Sequence, residues 1–542
     1  MQLPRAVDYA ATLDERTKRL VMGAVLLALF LTSLDQTVVV AALPKIVADL
    51  GALDLLAWTS AAYLLVSTAI LPIAGKLSDL YGRKIILLLG ITEFLFGSFL
   101  CGLSPTMLAL VCFRGLQGLG AGVIMAVALT IPADLYVPAD RARLQGLIAA
   151  VFALSSIVGP LLGGVLTDTL SWHWIFFINL PFGTLALFFI LSFMPRLDSG
   201  LSRSIDFAGA LLLLLTVVPL LVALSFENHS WMSLLKLGLL AVAAVGLAAF
   251  IGVEQRAKEP ILPLSLFRIP VFSLLCAISV LMGSVFIIAI LFLPVFLVNV
   301  QSATATQAGA ALIPESLGLM VSSFMTGNIV QRTGRYKAAM LAGLVLMGSG
   351  FFLLSWIGPA TSALQIWVAL AVFGLGAGAT FPQLNLALQN AVPFKDVGVA
   401  TAGRLFFSQL GQTISAAVYG SLLVACLSTA LTANLAPIAQ HLPADLAIHL
   451  TPERLRNGGS AVTGELAALR SRLAPPRFDA AQRRQVTAAV ETAIKHAFAE
   501  GIARVYRAGL PLAAVALLLG LLVPELPLRR SNSPDPSQPL SE

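Results

Sequence analysis

GKLSDLYGRKIIL, residues 75–87, ends one long apolar stretch and begins the next, and its glycine spacing returns far down the chain. Gly75 is followed seven residues later by Gly82-Arg83, and Gly327 seven residues later by Gly334-Arg335, an offset of 252. A second string behaves alike: GLGAG stands at Gly118–Gly122 and again at Gly374–Gly378, an offset of 256. Two independent strings repeated at nearly one offset imply two homologous halves. Both Gly-Arg pairs fall in basic loops, so the halves share one orientation.

The solvent of those halves follows from composition. Of 542 residues, 58% are hydrophobic and 11% charged, with a mean hydropathy of +0.91; a soluble protein carries about 25% charged residues. This excludes a soluble enzyme, a nucleic-acid binder and a disordered scaffold. Fourteen segments have the roughly 20 apolar residues that a membrane helix needs: 20–43, 57–75, 85–104, 107–129, 143–167, 174–194, 207–225, 234–253, 271–298, 308–330, 338–357, 364–388, 399–425 and 506–526. The short alternating segments of a membrane β-barrel are absent from the sequence. The net charge of +7 reflects loop topology: Arg16, Lys18, Lys76, Arg83, Lys84, Arg141, Arg143, Arg256, Arg332, Arg335 and Arg529 lie on one side, Lys45 and Lys236 on the other. Both termini are therefore expected in the cytoplasm.

The expected organisation is a cytoplasmic N-terminus (1–19) without a cleavable signal, a six-helix bundle (20–195), inserted helices 7 and 8 (196–258) and a second six-helix bundle (259–526). Residues 426–505 form a long outer segment, and 527–542 a disordered tail. Within the outer segment, Phe478 to Arg504 carries a helical stripe of Val486, Ala489, Val490, Ile494, Phe498 and Ile502 and is expected to run into helix 14. Cys101, Cys112, Cys276 and Cys426 lack metal-ligand spacing and read as packing residues. Parallel halves related by an axis along the membrane normal characterise one large class of secondary transporters.

Six motifs narrow the class. GKLSDLYGRKIIL resembles the cytoplasmic loop signature of the major facilitator superfamily through Gly75, Leu77, Asp79, Gly82, Arg83 and Lys84, with Leu80 in place of the usual basic residue. SSIVGPLLGG (155–164) resembles its antiporter motif through Gly159, Pro160, Gly163 and Gly164, and RGLQGLGAG (114–122) its helix 4 motif. With LDQTVVVAALP (34–44), WHWIFFINLPFG (172–183) and EPILPLSLFRIPVF (259–272), the chain resembles the fourteen-helix drug:proton antiporters of the EmrB/QacA type. The resemblance implies an all-α membrane protein with the major facilitator fold. It also implies a Gly159-Pro160 bend that helps seal the cavity, and a 75–84 loop whose Asp79 and Arg83 make charge contacts across the halves and hold the inner gate shut.

Asp35 lies about fifteen residues, roughly 22 Å, into the first apolar run. A carboxylate at that depth is costly and usually serves function, and neighbours can tune it to bind and release protons. Arg114 is its expected partner, because helices 1 and 4 adjoin in this fold. Glu93, Glu315 and Arg404 are candidates for a second proton or substrate site. Glu93 either faces the cavity or sits protonated against a neighbouring helix; Glu315, beside Pro314, is open to hydration at the outer headgroup region. The family commonly carries an arginine after the paired aromatics of helix 13, where this chain has Ser408; Arg404, one turn earlier, either takes over that role or caps the cytoplasmic helix end.

No G-x-x-x-x-G-K-[ST] string, catalytic triad, metal cluster or nucleotide fingerprint occurs in the sequence, so a non-enzymatic carrier without cofactor or metal, driven by an ion gradient, is expected. The reading is a proton-coupled exporter of amphiphilic or lipophilic compounds, including cations, acting as a monomer in a bacterial inner membrane. Its partners are protons, small molecules and membrane lipids, with no nucleic acid and with a periplasmic partner reachable through 426–505. The alternatives are a lipid exporter on the same scaffold and a non-transporting membrane sensor or partner platform.

Overall fold

The computed structural model describes residues 12–51, 55–195, 206–225, 233–440 and 480–528. The expectations placed on residues 1–11, Phe478, Arg529, the middle of the outer segment and residues 529–542 of the tail lie outside these residues. Among the described residues there is no strand, and fourteen helices are long and apolar enough to cross a membrane. The long helices are α1 (Glu15–Leu50), α2 (Leu56–Tyr81), α3 (Arg83–Gly102), α4 (Met107–Ala128), α5 (Pro138–Thr169), α6 (Asn179–Phe193), α7 (Phe207–Ser225), α8 (Leu234–Glu254), α9 (Pro270–Gln301), α10 (Ile313–Thr333), α11 (Tyr336–Leu354), α12 (Ala363–Ala391), α13 (Val397–Ala439) and α14 (Ala480–Leu522).

Local chemistry sets the helix ends. Asp14, Thr106 and Ser233 accept hydrogen bonds from the main-chain N–H groups of Thr17, Ala109 and Lys236. Ser362 and Gln365 form a reciprocal cap on α12. These side chains satisfy N–H groups that have no intrahelical partner. Gly82 and Gly334 end α2 and α10 at positive φ, 91° and 71°, a conformation that strains other L residues. Each Gly-Arg pair of the repeat is therefore a helix boundary.

The other repeated string is a packing device. A Cβ on Gly118 or Gly122 would collide with the backbone of α2 at Tyr63 and Ser67, and one on Gly120 with the backbone of α3 at Phe94. Gly374 and Gly378 meet the backbone of α10 at Glu315 and Leu319, and Gly376 meets α11 at Met347. The alternate glycines of GLGAG thus let one helix lie close between two others, as small residues do in membranes. The pairing pattern follows: α4 packs on α2 and α3, and α12 on α10 and α11. Likewise α1 packs on α4, α5 and α6, and α9 on α12, α13 and α14. Between these two sets, α5 meets α10 and α12 while α13 meets α2 and α4. Helices α7 and α8 pair with each other, and α7 also touches α2 and α13.

Helices α13 and α14 each span 43 residues, about 64 Å at 1.5 Å per residue against a hydrocarbon thickness of about 30 Å. Their outer parts pack together. Val490, Ile494, Phe498 and Ile502 are buried in one cluster with Leu427, Leu431 and Leu435 of α13, whereas Val486 is only half-buried and Ala489 exposed. Most of the stripe on α14 is thereby consumed by its neighbour.

Gly120→Leu and Gly376→Leu are each expected to destabilise the folded protein by at least the roughly 1–3 kcal/mol typical of overpacking, because backbone rather than a side-chain tip opposes the new atoms. Thermal unfolding of detergent-purified protein checks this; an unchanged midpoint would disprove the close-packing role.

Candidate functional site

Asp35, at 1% exposure, is held in a cage of neutral and cationic donors between α1, α4 and α6. Arg114 donates to its Oδ2 at 2.5 Å, while Gln117 Nε2 and Asn179 Nδ2 donate to its Oδ1 at 2.8 and 3.1 Å. Arg114 is pinned in turn: its Nε donates to the carbonyl of Thr59 at 3.2 Å, a terminal nitrogen donates to Gln117 Oε1 at 2.7 Å, and the guanidinium lies 4.3 Å from the Tyr63 ring centroid. Tyr63 donates to the carbonyl of Thr32, and Asn179 to Ser98 Oγ. The expected pair is assembled. Gln117, Asn179 and Tyr63 were not singled out in the sequence. Gln117 and Asn179 stand inside the quoted motifs, and the available signal was an amide side chain within an otherwise apolar run.

A buried carboxylate bound this way has one labile element. Protonation removes the charge that Arg114 answers, leaving a guanidinium fully inside the bundle without its anion.

The second feature is the seal at the basic end of the bundle. Asp79, 2% exposed, is paired with Arg83 and accepts from the main-chain N–H of Val399 at 2.8 Å. Val399 belongs to the first turn of α13, where N–H groups lack intrahelical partners and the helix dipole favours an anion. Arg83 stays within the first half: its Nε donates to Asp134 at 2.9 Å and a terminal nitrogen to Ser78 Oγ at 2.6 Å. The expected charge contact across the halves is thus Asp79 on a helix N-terminus, and Arg83 orients that carboxylate. Lys84 lies elsewhere, donating to the carbonyls of Leu191 and Met194 at the end of α6. Gly75 gives α13 room at Ala402 and Gly398, and Lys76 pairs with Glu259 at 2.7 Å. Asp396, just before α13, has its carboxyl pushed up by burial against the pull of Lys395 and Lys76.

Helices α5 and α10 close the opposite side of the same end. Gly146 abuts Ser323, Gly327 abuts Ala142, and Gln331 donates to Asp140 at 3.0 Å. Eighteen residues beyond Gly146, on the same helical face, a Cβ on Gly164 would meet nothing within 4 Å, and Pro160 is exposed. Gly159 faces α1 instead, where a Cβ would strike Thr37; Thr37 Oγ1 donates to the carbonyl of Ser155 at 3.0 Å. The antiporter-like stretch therefore clamps α5 to α1 on one side and leaves its other side uncovered. Gly163 is buried.

The remaining candidates do not join Asp35. Glu93 is half-buried on α3, one turn from exposed Leu89 and Phe96, on the outer face of the bundle. Glu315 is 4% exposed rather than hydrated: Ser316 Oγ donates to it at 3.2 Å and its Oε1 has no partner. Arg404 points into the bundle, where it donates to Asn385 Oδ1 at 2.9 Å and Ser279 Oγ at 3.3 Å, with no bond to a helix-terminal carbonyl.

Comparison with known proteins gives the context. The Major Facilitator Superfamily model matches residues 25–416. The multidrug transporter protein MdtP of Bacillus subtilis is 38% identical over 433 residues, 79% of this chain and 80% of the relative. The uncharacterised MFS-type transporter Rv1877 of Mycobacterium tuberculosis is 36% identical over 532 residues, 97% of this chain and 72% of the relative. Among solved structures, the proton:xylose symporter XylE superposes with a TM-score of 0.56 at 14% identity, covering 76% of this chain and 91% of that one; at that identity the likeness is one of fold.

Asp79→Ala is expected to loosen the basic end, because it removes the anion from α13's first turn and leaves Arg83 with Asp134 alone. Maleimide labelling of a cysteine placed at Thr401, in a cysteine-free background, should rise in this variant. Labelling equal to the parent would show that the seal does not depend on Asp79.

Proposed function

The chain belongs to the major facilitator superfamily, and from that premise we propose that it is a proton-coupled exporter of amphiphilic and lipophilic compounds, cations among them. It works by alternating access in a bacterial cytoplasmic membrane, with its basic end and both termini in the cytoplasm. The observation that carries the reading is the Asp35 cage: one carboxylate, deep in a membrane-crossing helix, answered by one arginine. In the proposed orientation the described state faces outward, since the basic end is sealed and α5 is uncovered toward the other end.

A proton arriving from outside neutralises Asp35 and frees Arg114 from its anion. The cost of that unpaired guanidinium favours rearrangement of the two six-helix units, 20–195 and 259–526, about their shared interface. Opening of the cytoplasmic end then breaks the Asp79–Val399 contact, releases the proton and admits cargo. Helices 7 and 8 (196–258) ride beside α2 and α13 as an insertion. The carrier acts as a monomer and makes or breaks no covalent bond.

A second reading, lipid export assisted by an outer partner through residues 426–505, draws on the length of α13 and α14. It ranks below drug export because most of the apolar stripe on α14 is packed against α13 and so is not free to shield acyl chains. Joining the two helices at the membrane surface by a short linker should therefore leave dye efflux measurable at a reduced level; complete loss of efflux in a folded variant, with lipid export lost in parallel, would reverse the ranking.

Asp35→Asn keeps the shape and part of the hydrogen bonding but cannot titrate. Efflux driven by a pH gradient in proteoliposomes is expected to fall to background, while the variant remains folded and inserted. Full gradient-driven transport by this variant would overturn the coupling assignment.

A further inference from the structure

Arg404 stands two turns into α13, one turn beyond the inner seal at Val399 and Thr401. It is 4% exposed, and among the described residues no carboxylate lies within ion-pair distance. Two other buried arginines meet carboxylates, Arg83 with Asp79 and Asp134 and Arg114 with Asp35, while buried Arg141 donates to the main-chain carbonyls of Tyr136 and Ala133 beside it. Arg404 has only neutral acceptors, the side chains of Asn385 and Ser279. Among the described residues these two are the acceptors of its guanidinium.

Asn385 carries the contact across the halves. Its Nδ2 donates to Gln145 Oε1 of α5 at 3.3 Å. Gln145 is 3% exposed, and its own Nε2 has no acceptor. Among the described residues, a buried cation without a counter-charge and a buried amide donor without an acceptor thus lie on either side of Asn385. Buried polar groups are ordinarily satisfied, and a buried charge without a counter-charge is the costliest exception.

The placement says when an anion can arrive. The Gln145–Asn385 bond joins α5 to α12, so parting these helices at the basic end breaks it and opens Arg404 and Gln145 to the same space. A guanidinium accepts a carboxylate through two parallel N–H···O bonds, a geometry that a point charge cannot copy. We infer that Arg404 recognises a carboxylate on the transported molecule, loaded while the basic end is open, and that Asn385 holds the guanidinium when no cargo is present. The inference rests on the export reading and extends its substrate class to zwitterionic and acidic amphiphiles.

Rhodamine B, with a free carboxylate, and its ethyl ester, on the same ring system, form the test pair for the full chain in proteoliposomes. The wild type is expected to move both. Arg404→Gln should lower kcat/KM for the acid about tenfold more than for the ester, through KM, since it removes a bidentate charge-assisted contact. Arg404→Lys, which keeps the charge and loses the fork, should recover part of the difference. Equal losses for both dyes, or export of the ester but not the acid by the wild type, would overturn the inference. If Arg404→Gln does not fold, Arg404→Lys decides: an unchanged acid-to-ester ratio overturns it. Absence of export of either dye by the wild type would instead overturn the transport reading, and the inference with it.

Discussion

Hydrocarbon offers no hydrogen bonds, so every charge placed inside it must be answered by the chain itself. In the first half that requirement converges on Asp35. Its two oxygens draw donors from α4 and α6, and the arginine among them draws a carbonyl just inside α2. Four helices are thereby fixed around one carboxylate. Removing one partner of such a buried pair typically costs about 3–5 kcal/mol. Protonation would remove that partner reversibly, and the proposed coupling turns on that step.

The contacts within and between the halves are of different kinds. Inside each half, α4 and α12 lie against their neighbours through glycines whose positions tolerate no Cβ. Dispersion contacts of that sort are lost steeply with small displacements, so each half moves as a unit. Across the basic end the seal is a carboxylate on one helix N-terminus, the Lys76–Glu259 ion pair, a few glycine contacts and single side-chain hydrogen bonds such as Gln331 to Asp140. These can be exchanged for water one by one. The proposed alternation would therefore take place at the interface and not within the bundles.

The fold was legible because it is written in long-range features: apolar runs of membrane length, and two strings repeated at one offset. The glycine strings carried more than the repeat, since their alternate positions name the helices on either side. At the site, Asp35 and Arg114 were legible because charges in an apolar run are conspicuous. Gln117 and Asn179 were not, since an amide in a helix is ordinary until its neighbour is known. Arg83 illustrates the limit differently. Its charge predicted a bond across the halves, but Asp134, fifty-one residues away, claims it, and the crossing falls to a main-chain N–H that no sequence pattern announces. Glu93 and Arg404 were equally visible as charges, yet one faces outward from α3 and the other inward from α13, a difference set by helix rotation.

The two halves share architecture but not chemistry. In the register of the repeated glycines, the position of Arg114 is occupied in the second half by Leu370, which is fully buried. The second half therefore has no counterpart of the caged pair in α12. Its buried cation, Arg404, comes from α13 and lacks an internal anion. If both halves held self-sufficient ion pairs, cargo charge would have nothing to engage; if neither did, a proton would have nothing to displace. In the proposed cycle, placing the answered charge in one half and the unanswered one in the other separates the driving ion from the cargo, and the interface that would alternately cover and bare Arg404 would link the two sites.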